Sequence, residues 1–186
     1  MTYYNDGDTQ VRYFLNAAGT GLDEMVCNKT NRLKEAGKGG TVRYLISTAY
    51  SILSYKCQHV QVEVDGTVIF DDKIMSLSIG NCKFNGGGMM MMPEAVPNDG
   101  LFDITAIKKT GLLKFAANMK NIYDGSFAYK LKEVSLFKGK KIRVISIPSH
   151  KLLLETEGET LTNSPFLFEM LTKSIQMIVP KNYYTL

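Results

Sequence analysis

Histidine, cysteine and long apolar runs are scarce in this 186-residue chain, and each scarcity removes a class of function. The histidines are His59 and His150 alone, so a His-based metal cluster lacks its ligands. Cys27, Cys57 and Cys82 are odd in number, widely spaced and without a CxxC pair. That argues against a disulfide framework and a zinc site and fits a reducing cytosol. No stretch reaches the ~20 apolar residues of a spanning helix. The start, Met1-Thr2-Tyr3-Tyr4-Asn5-Asp6, has no basic region ahead of an apolar run. The expectation is a cytoplasmic protein, at most peripheral to a membrane. Internal repeats and linkers rich in proline or serine are absent, and the low-complexity tract is limited to Met89-Met90-Met91-Met92, read as packing residues.

Charge of one sign is also limited. Lysine plus arginine number 22 against 18 acidic residues, a net +4 spread along the chain. Nucleic-acid binding is therefore not expected. Small basic knots at Lys108-Lys109 and Lys138-Gly139-Lys140-Lys141 read as solvated loops, with contact to anionic phosphate or an anionic membrane surface as the second reading.

What is present suits one globular domain: 45% apolar and 22% charged residues, in a chain long enough to bury a core without metals or disulfides. Residues 60–64 alternate apolar and polar, Asp65-Gly66 follows, and 67–70 resumes an apolar run, which is a strong hairpin signal. Further strands are predicted over 11–15, 74–79, 102–107, 133–137, 142–147, 151–155 and 174–179. Helical spacing predicts amphipathic helices over 41–55 and 112–123. Many short strands with turn signals between them predict a mainly β (α+β) domain, a two-layer antiparallel sandwich with peripheral helices.

Chemistry has few places to reside. Gly86-Gly87-Gly88 could present backbone N–H groups to phosphate, yet neither it nor Gly37-Lys38-Gly39-Gly40-Thr41 has P-loop spacing, and a turn is the simpler reading. In Pro93-Glu94-Ala95-Val96-Pro97-Asn98-Asp99-Gly100-Leu101-Phe102-Asp103, prolines stiffen a loop that can aim a carboxylate and carbonyls at one point, as Mg²⁺ prefers, although an ordinary turn is the simpler reading. In Glu155-Thr156-Glu157-Gly158-Glu159, strand alternation would put the glutamates on one face, unless a glycine bulge re-aims the last. Like charges so close raise a carboxyl pKa, and an aimed carboxylate can act as a general base, although a solvated acidic edge is the simpler reading of the run.

Taken in order, these segments resemble the second domain of the diacylglycerol kinase and sphingosine kinase family. The resemblance rests on Phe14-Leu15-Asn16-Ala17-Ala18-Gly19-Thr20-Gly21-Leu22-Asp23, on Gly80-Asn81 running to Gly86-Gly87-Gly88-Met89, on the loop of residues 93–101, and on Glu157-Gly158-Glu159, and it covers about residues 10–180. It implies a two-layer β-sandwich and an ATP-binding, amino-terminal nucleotide-binding domain beside it. Phosphoryl transfer to a lipid alcohol would occur between the two. It implies that Asp99, with the carbonyls of Val96 and Leu101, holds Mg²⁺, that Glu159 accepts the proton, and that Glu157 is the acidic residue before it. Glu157 departs from the family's aspartate, and its extra methylene puts its own role in question. The family's Gly-Gly-Asp-Gly-Thr loop occurs nowhere in the chain. The chain should then be inactive alone. The rival reading is a non-catalytic lipid-binding or protein-docking sandwich, and a homodimer is left open by both.

Overall fold

A computed structural model describes residues 1–5, 8–22, 55–111, 114, 117–148, 152–162 and 165–178. The predicted helix over 41–55 lies outside these, apart from Tyr55. Of the one over 112–123, the described part ends in a 3-10 turn, Met119–Ile122, with Ile122 buried.

Alternation makes the strands, and residues tolerant of positive φ make their turns. In β4 (Gln58–Val64) Val60, Val62 and Val64 point inward, and β5 (Thr67–Gly80) returns beside it. Asp65 and Gly66 between them take φ of 49° and 87°. Both are left-handed, which gives the type I′ turn expected of Asp-Gly. The Asp65 carboxylate also accepts hydrogen bonds from the Lys140 and Lys141 backbone N–H groups, at 3.2 and 2.8 Å, tying this turn to its neighbour.

The sheet is arranged around β5. Its first half pairs with β4. Past a register shift at Met75, its second half runs between β3 (Ala17–Gly21) and β6 (Phe102–Lys108). Next to β6 lies β7 (Val134–Gly139), and next to β4 lies β8 (Lys141–Ile147). One end of the sheet carries β9 (Leu153–Thr156) and β10 (Glu159–Thr162). The other carries β11 (Phe166–Glu169), β1 (Thr2–Asn5) and β2 (Asp8–Val11). Every pairing among the described strands is antiparallel. The sheet curls around a core that includes Val60, Ile74, Leu77, Ile104, Val144 and Phe166. This is the expected mostly β, sandwich-like antiparallel fold, built as one curled sheet. On the other side Met75, Ile107, Ile122, Phe127 and Leu131 form a second cluster under the 3-10 turn and a helical turn, Phe127–Lys130.

Some predicted strands differ. Of residues 11–15 only Val11 is in a strand. The apolar run serves packing instead: Phe14 stacks on Phe102 at 5.8 Å between ring centroids and meets Phe168 edge-on at 6.0 Å, while Tyr13 is exposed. Residues 174–178 form no strand, because none of the described strands pairs with them, and Ile175, Met177 and Ile178 are exposed.

Candidate active site

The start of β3 and the end of β5 are laced together by asparagine. The Asn81 backbone N–H donates to the Asn16 carbonyl and its side-chain amide to the Leu15 carbonyl, each at 2.9 Å. The approach is close enough to require glycine before Asn81. A Cβ on Gly80 would lie 2.5 Å from the Asn16 carbonyl oxygen and 3.0 Å from the Met92 methyl. The side-chain Oδ1 atoms of Asn16 and Asn81 are buried and accept no hydrogen bond among the described residues.

The β9–β10 hairpin brings the Glu157 carboxylate to the same place. Glu157 and Gly158 take φ of 52° and 82°, so the run predicted as an alternating strand or a bulge is a second type I′ turn. The three glutamates therefore part company. Glu155 is buried and accepts the Gly158 N–H at 2.7 Å, closing the turn. Glu157 turns to Asn16, whose backbone N–H donates to its Oε1 at 2.9 Å. Glu159 points outward and pairs through Oε2 with the Arg12 guanidinium at 2.7 Å. The hydrogen bond and charge of Arg12 hold the Glu159 carboxyl below the usual glutamate range, so crowding by like charges does not govern this residue. Arg12 is itself fixed, its backbone N–H bonded to the Met1 carbonyl at 2.8 Å and its carbonyl to the Met1 ammonium at 2.9 Å. Nothing local in the sequence signals Arg12, because its partner comes from the far end of the chain. Burial, helped by the Glu157 charge, pushes the Cys82 thiol up, which makes it a poor nucleophile.

The loop over 93–101 is docked against this corner, with Ala95 and Met92 packed on Ala17. Asp99 organises it: its N–H donates to the Val96 carbonyl at 3.2 Å, and its Oδ1 accepts the Leu101 N–H at 2.9 Å. Gly100 turns the chain at φ 78°. Asp99 Oδ2 faces the Lys138 ammonium at 3.9 Å. Lys138, read from sequence as part of a solvated knot, also pairs with the buried Asp103 at 3.1 Å and donates to the Glu94 carbonyl at 2.8 Å. Burial raises the Asp103 carboxyl, against the opposing pull of Lys138. Among the described residues no three His, Cys, Asp or Glu side chains could hold a metal ion together. A cation here would depend on Asp99 and backbone carbonyls, an all-oxygen donor set of the kind Mg²⁺ takes, and the loop fits that ion in its chemistry.

Gly86–Gly88 is a short, exposed 3-10 turn capped by the Asn85 side chain, which accepts the Gly86 N–H at 2.8 Å. Met91 and Met92 are buried, as packing residues are. A cavity of about 500 Å³ opens beside β1, β8 and β11, lined by Met1, Tyr13, Glu63, Arg143, Phe168 and Leu171, none of them in the converging segments. No described helix is long and apolar enough to cross a membrane.

Comparison with known proteins matches residues 16–179 to the YegS C-terminal NAD kinase beta sandwich-like domain. A protein of Shewanella frigidimarina named "Probable lipid kinase YegS-like" is 31% identical over 176 residues, 91% of this chain and 53% of its own length. The "Diacylglycerol kinase" of Bacillus subtilis is 27% identical over 176 residues, 94% of this chain and 56% of its own. A solved structure from Bacillus anthracis strain Sterne aligns with TM-score 0.63 at 25% identity, over 92% of this chain and 53% of that one. A second from that strain, a diacylglycerol kinase, aligns with TM-score 0.55 at 20% identity and shows the shared fold. The chain spans about half the length of the curated relatives it matches.

Proposed function

This chain belongs to the YegS C-terminal NAD kinase beta sandwich-like domain family, which lipid and diacylglycerol kinases share; from that premise we propose that it is the substrate-facing, proton-accepting half of an ATP-dependent lipid kinase. The substrate class is a lipid alcohol of the diacylglycerol or sphingoid type. The observation that carries the reading is convergence. Asn16, Gly80-Asn81, the 93–101 loop and Glu157 are far apart in sequence and meet at one corner of the sheet, with Glu159 just past the turn on Arg12.

Chemistry at that corner follows from the side chains. The lipid hydroxyl gives its proton to the Glu159 carboxylate while its oxygen bonds to the γ-phosphorus of ATP and the bond to the departing ADP oxygen breaks. Arg12 engages Oε2 and leaves Oε1 for the hydroxyl; by holding the Glu159 carboxyl low it makes the carboxylate a weaker base while it stays ionised. Glu157 has a supporting part: its carboxylate is bound to the Asn16 N–H and so fixes the turn that presents Glu159. Asp99 with the carbonyls of Val96 and Leu101 would hold Mg²⁺, which would supply positive charge beside the site. ATP is held mainly by an adjoining amino-terminal nucleotide-binding domain, and the lipid is met at a membrane surface.

The test compares the purified chain with the same chain joined to its nucleotide-binding domain, given ATP and diacylglycerol in mixed micelles. Negligible turnover alone and clear turnover when joined are expected. Turnover by the chain alone at the joined rate overturns the assignment of ATP binding to another domain. Lipid binding without turnover in either form favours the non-catalytic reading.

A further inference from the structure

Lys138 reaches from β7 to the 93–101 loop, which it meets in two places, and to the neighbouring strand β6, which it meets in one. Its ammonium donates to the Glu94 carbonyl at 2.8 Å, pairs with Asp103 Oδ1 at 3.1 Å and faces Asp99 Oδ2 at 3.9 Å. Asp103 stands directly opposite Lys138 in the β6–β7 ladder, and its side chain is only 7% exposed. The lysine is thus fixed by a buried carboxylate on the neighbouring strand and does not sweep through solvent. Its positive charge lies against the one carboxylate of the loop's oxygen donor set.

Distance then couples Lys138 to any ion in that set. An ion bound to Asp99 Oδ2 at the ~2.1 Å of a Mg²⁺–oxygen bond is at most about 6 Å from the Lys138 ammonium, since that ammonium is itself 3.9 Å from Oδ2. Cations at that range repel appreciably near a protein surface, and they would share Asp99, with Asp103 neutralising part of the ammonium's charge. The geometry also makes the loop's order independent of metal. The contacts of Lys138 with the Glu94 carbonyl and with Asp99 already join loop to sheet, and its pair with Asp103 on β6 anchors the lysine.

We propose that Lys138 is a resident cation of the 93–101 loop, which does the ordering that a divalent ion would do and weakens Asp99 as a ligand for that ion. The inference rests on the reading of Asp99, Val96 and Leu101 as a Mg²⁺ loop. It makes the wild-type domain nearly indifferent to Mg²⁺ in its stability, and it makes a variant without the ammonium dependent on it.

Calorimetric titration of Mg²⁺ into the 186-residue chain, with thermal unfolding at zero and saturating Mg²⁺, tests this for wild type, Lys138→Gln, Lys138→Arg and Asp99→Asn. Lys138→Gln should bind Mg²⁺ about tenfold more tightly than wild type, unfold at lower temperature without the ion and recover with it. Lys138→Arg keeps the charge and should stay close to wild type, and Asp99→Asn should not bind. If the Gln variant does not fold, Lys138→Met, which keeps the apolar stem, takes its place. Equal affinity in wild type and the neutral variants overturns the resident-cation inference and leaves the metal loop standing. Absence of Mg²⁺ binding in all variants overturns the metal loop and the inference with it.

Discussion

The Glu157 carboxylate accepts the backbone N–H of Asn16 at 2.9 Å, joining the tip of the β9–β10 hairpin to the first residue before β3. A turn residue and a strand-end residue 141 positions apart are thereby held in one geometry. Glu157→Ala removes the acceptor and leaves the N–H to solvent. Hydrogen exchange should show the Asn16 amide exchanging severalfold faster in this variant, and an unchanged rate would mean that the bond does not persist in solution.

The ion pair of Glu159 with Arg12 has a pH signature. Arg12 holds the Glu159 carboxyl below its ordinary value of 4.5, so the native state binds that proton less readily than the unfolded chain. The pair's contribution is present above that ordinary value and is lost as pH falls through the lower folded value. Carboxyl titration by NMR should place the Glu159 midpoint below 4.5 in wild type and return it to the ordinary value in Arg12→Gln. The same midpoint in both proteins would contradict the pair.

Much of this was legible, for reasons that separate local from distant causes. Asp65-Gly66 announced its hairpin because both residues tolerate positive φ and flank alternating strands. Glu157-Gly158 makes the same turn yet reads as strand or bulge, since glutamate is an unusual residue at φ 52° and only the glycine signals it. Residues 11–15 are apolar enough for a strand, yet Phe14 is used as a wedge against Phe102 and Phe168. The motif residues Asn16, Asn81, Asp99 and Glu159 were visible in the sequence. Arg12 and Lys138 were not, because each owes its place to cross-sheet neighbours that spacing does not encode.

Gly80 tests how tightly the corner is packed. A methyl group there meets the Asn16 carbonyl at 2.5 Å, and this neighbour is backbone that cannot swing aside. Gly80→Ala should lose about 2 kcal/mol in urea unfolding and weaken protection of the Asn81 amide. A stability equal to wild type would show that β3 and β5 can separate freely.

Phe14 supplies the aromatic anchor just ahead of Asn16. Phe14→Ala removes a stacked and an edge-on ring contact in a partly buried position. A loss of about 2–3 kcal/mol is expected in chemical denaturation, and Phe14→Leu should restore over half of it. A negligible loss would return residues 11–15 to the status of a surface strand.

Turnover of Glu159→Gln measures the central claim most directly, in the chain joined to its nucleotide-binding domain and assayed with ATP and a lipid alcohol. The substitution keeps the shape and removes the ability to take a proton. A fall in turnover of ~10² to 10⁴ with ATP affinity nearly unchanged is predicted. Retention of more than about a tenth of the parent's turnover, far short of the loss expected for a general base, would contradict the account and leave Glu159 as the structural partner of Arg12.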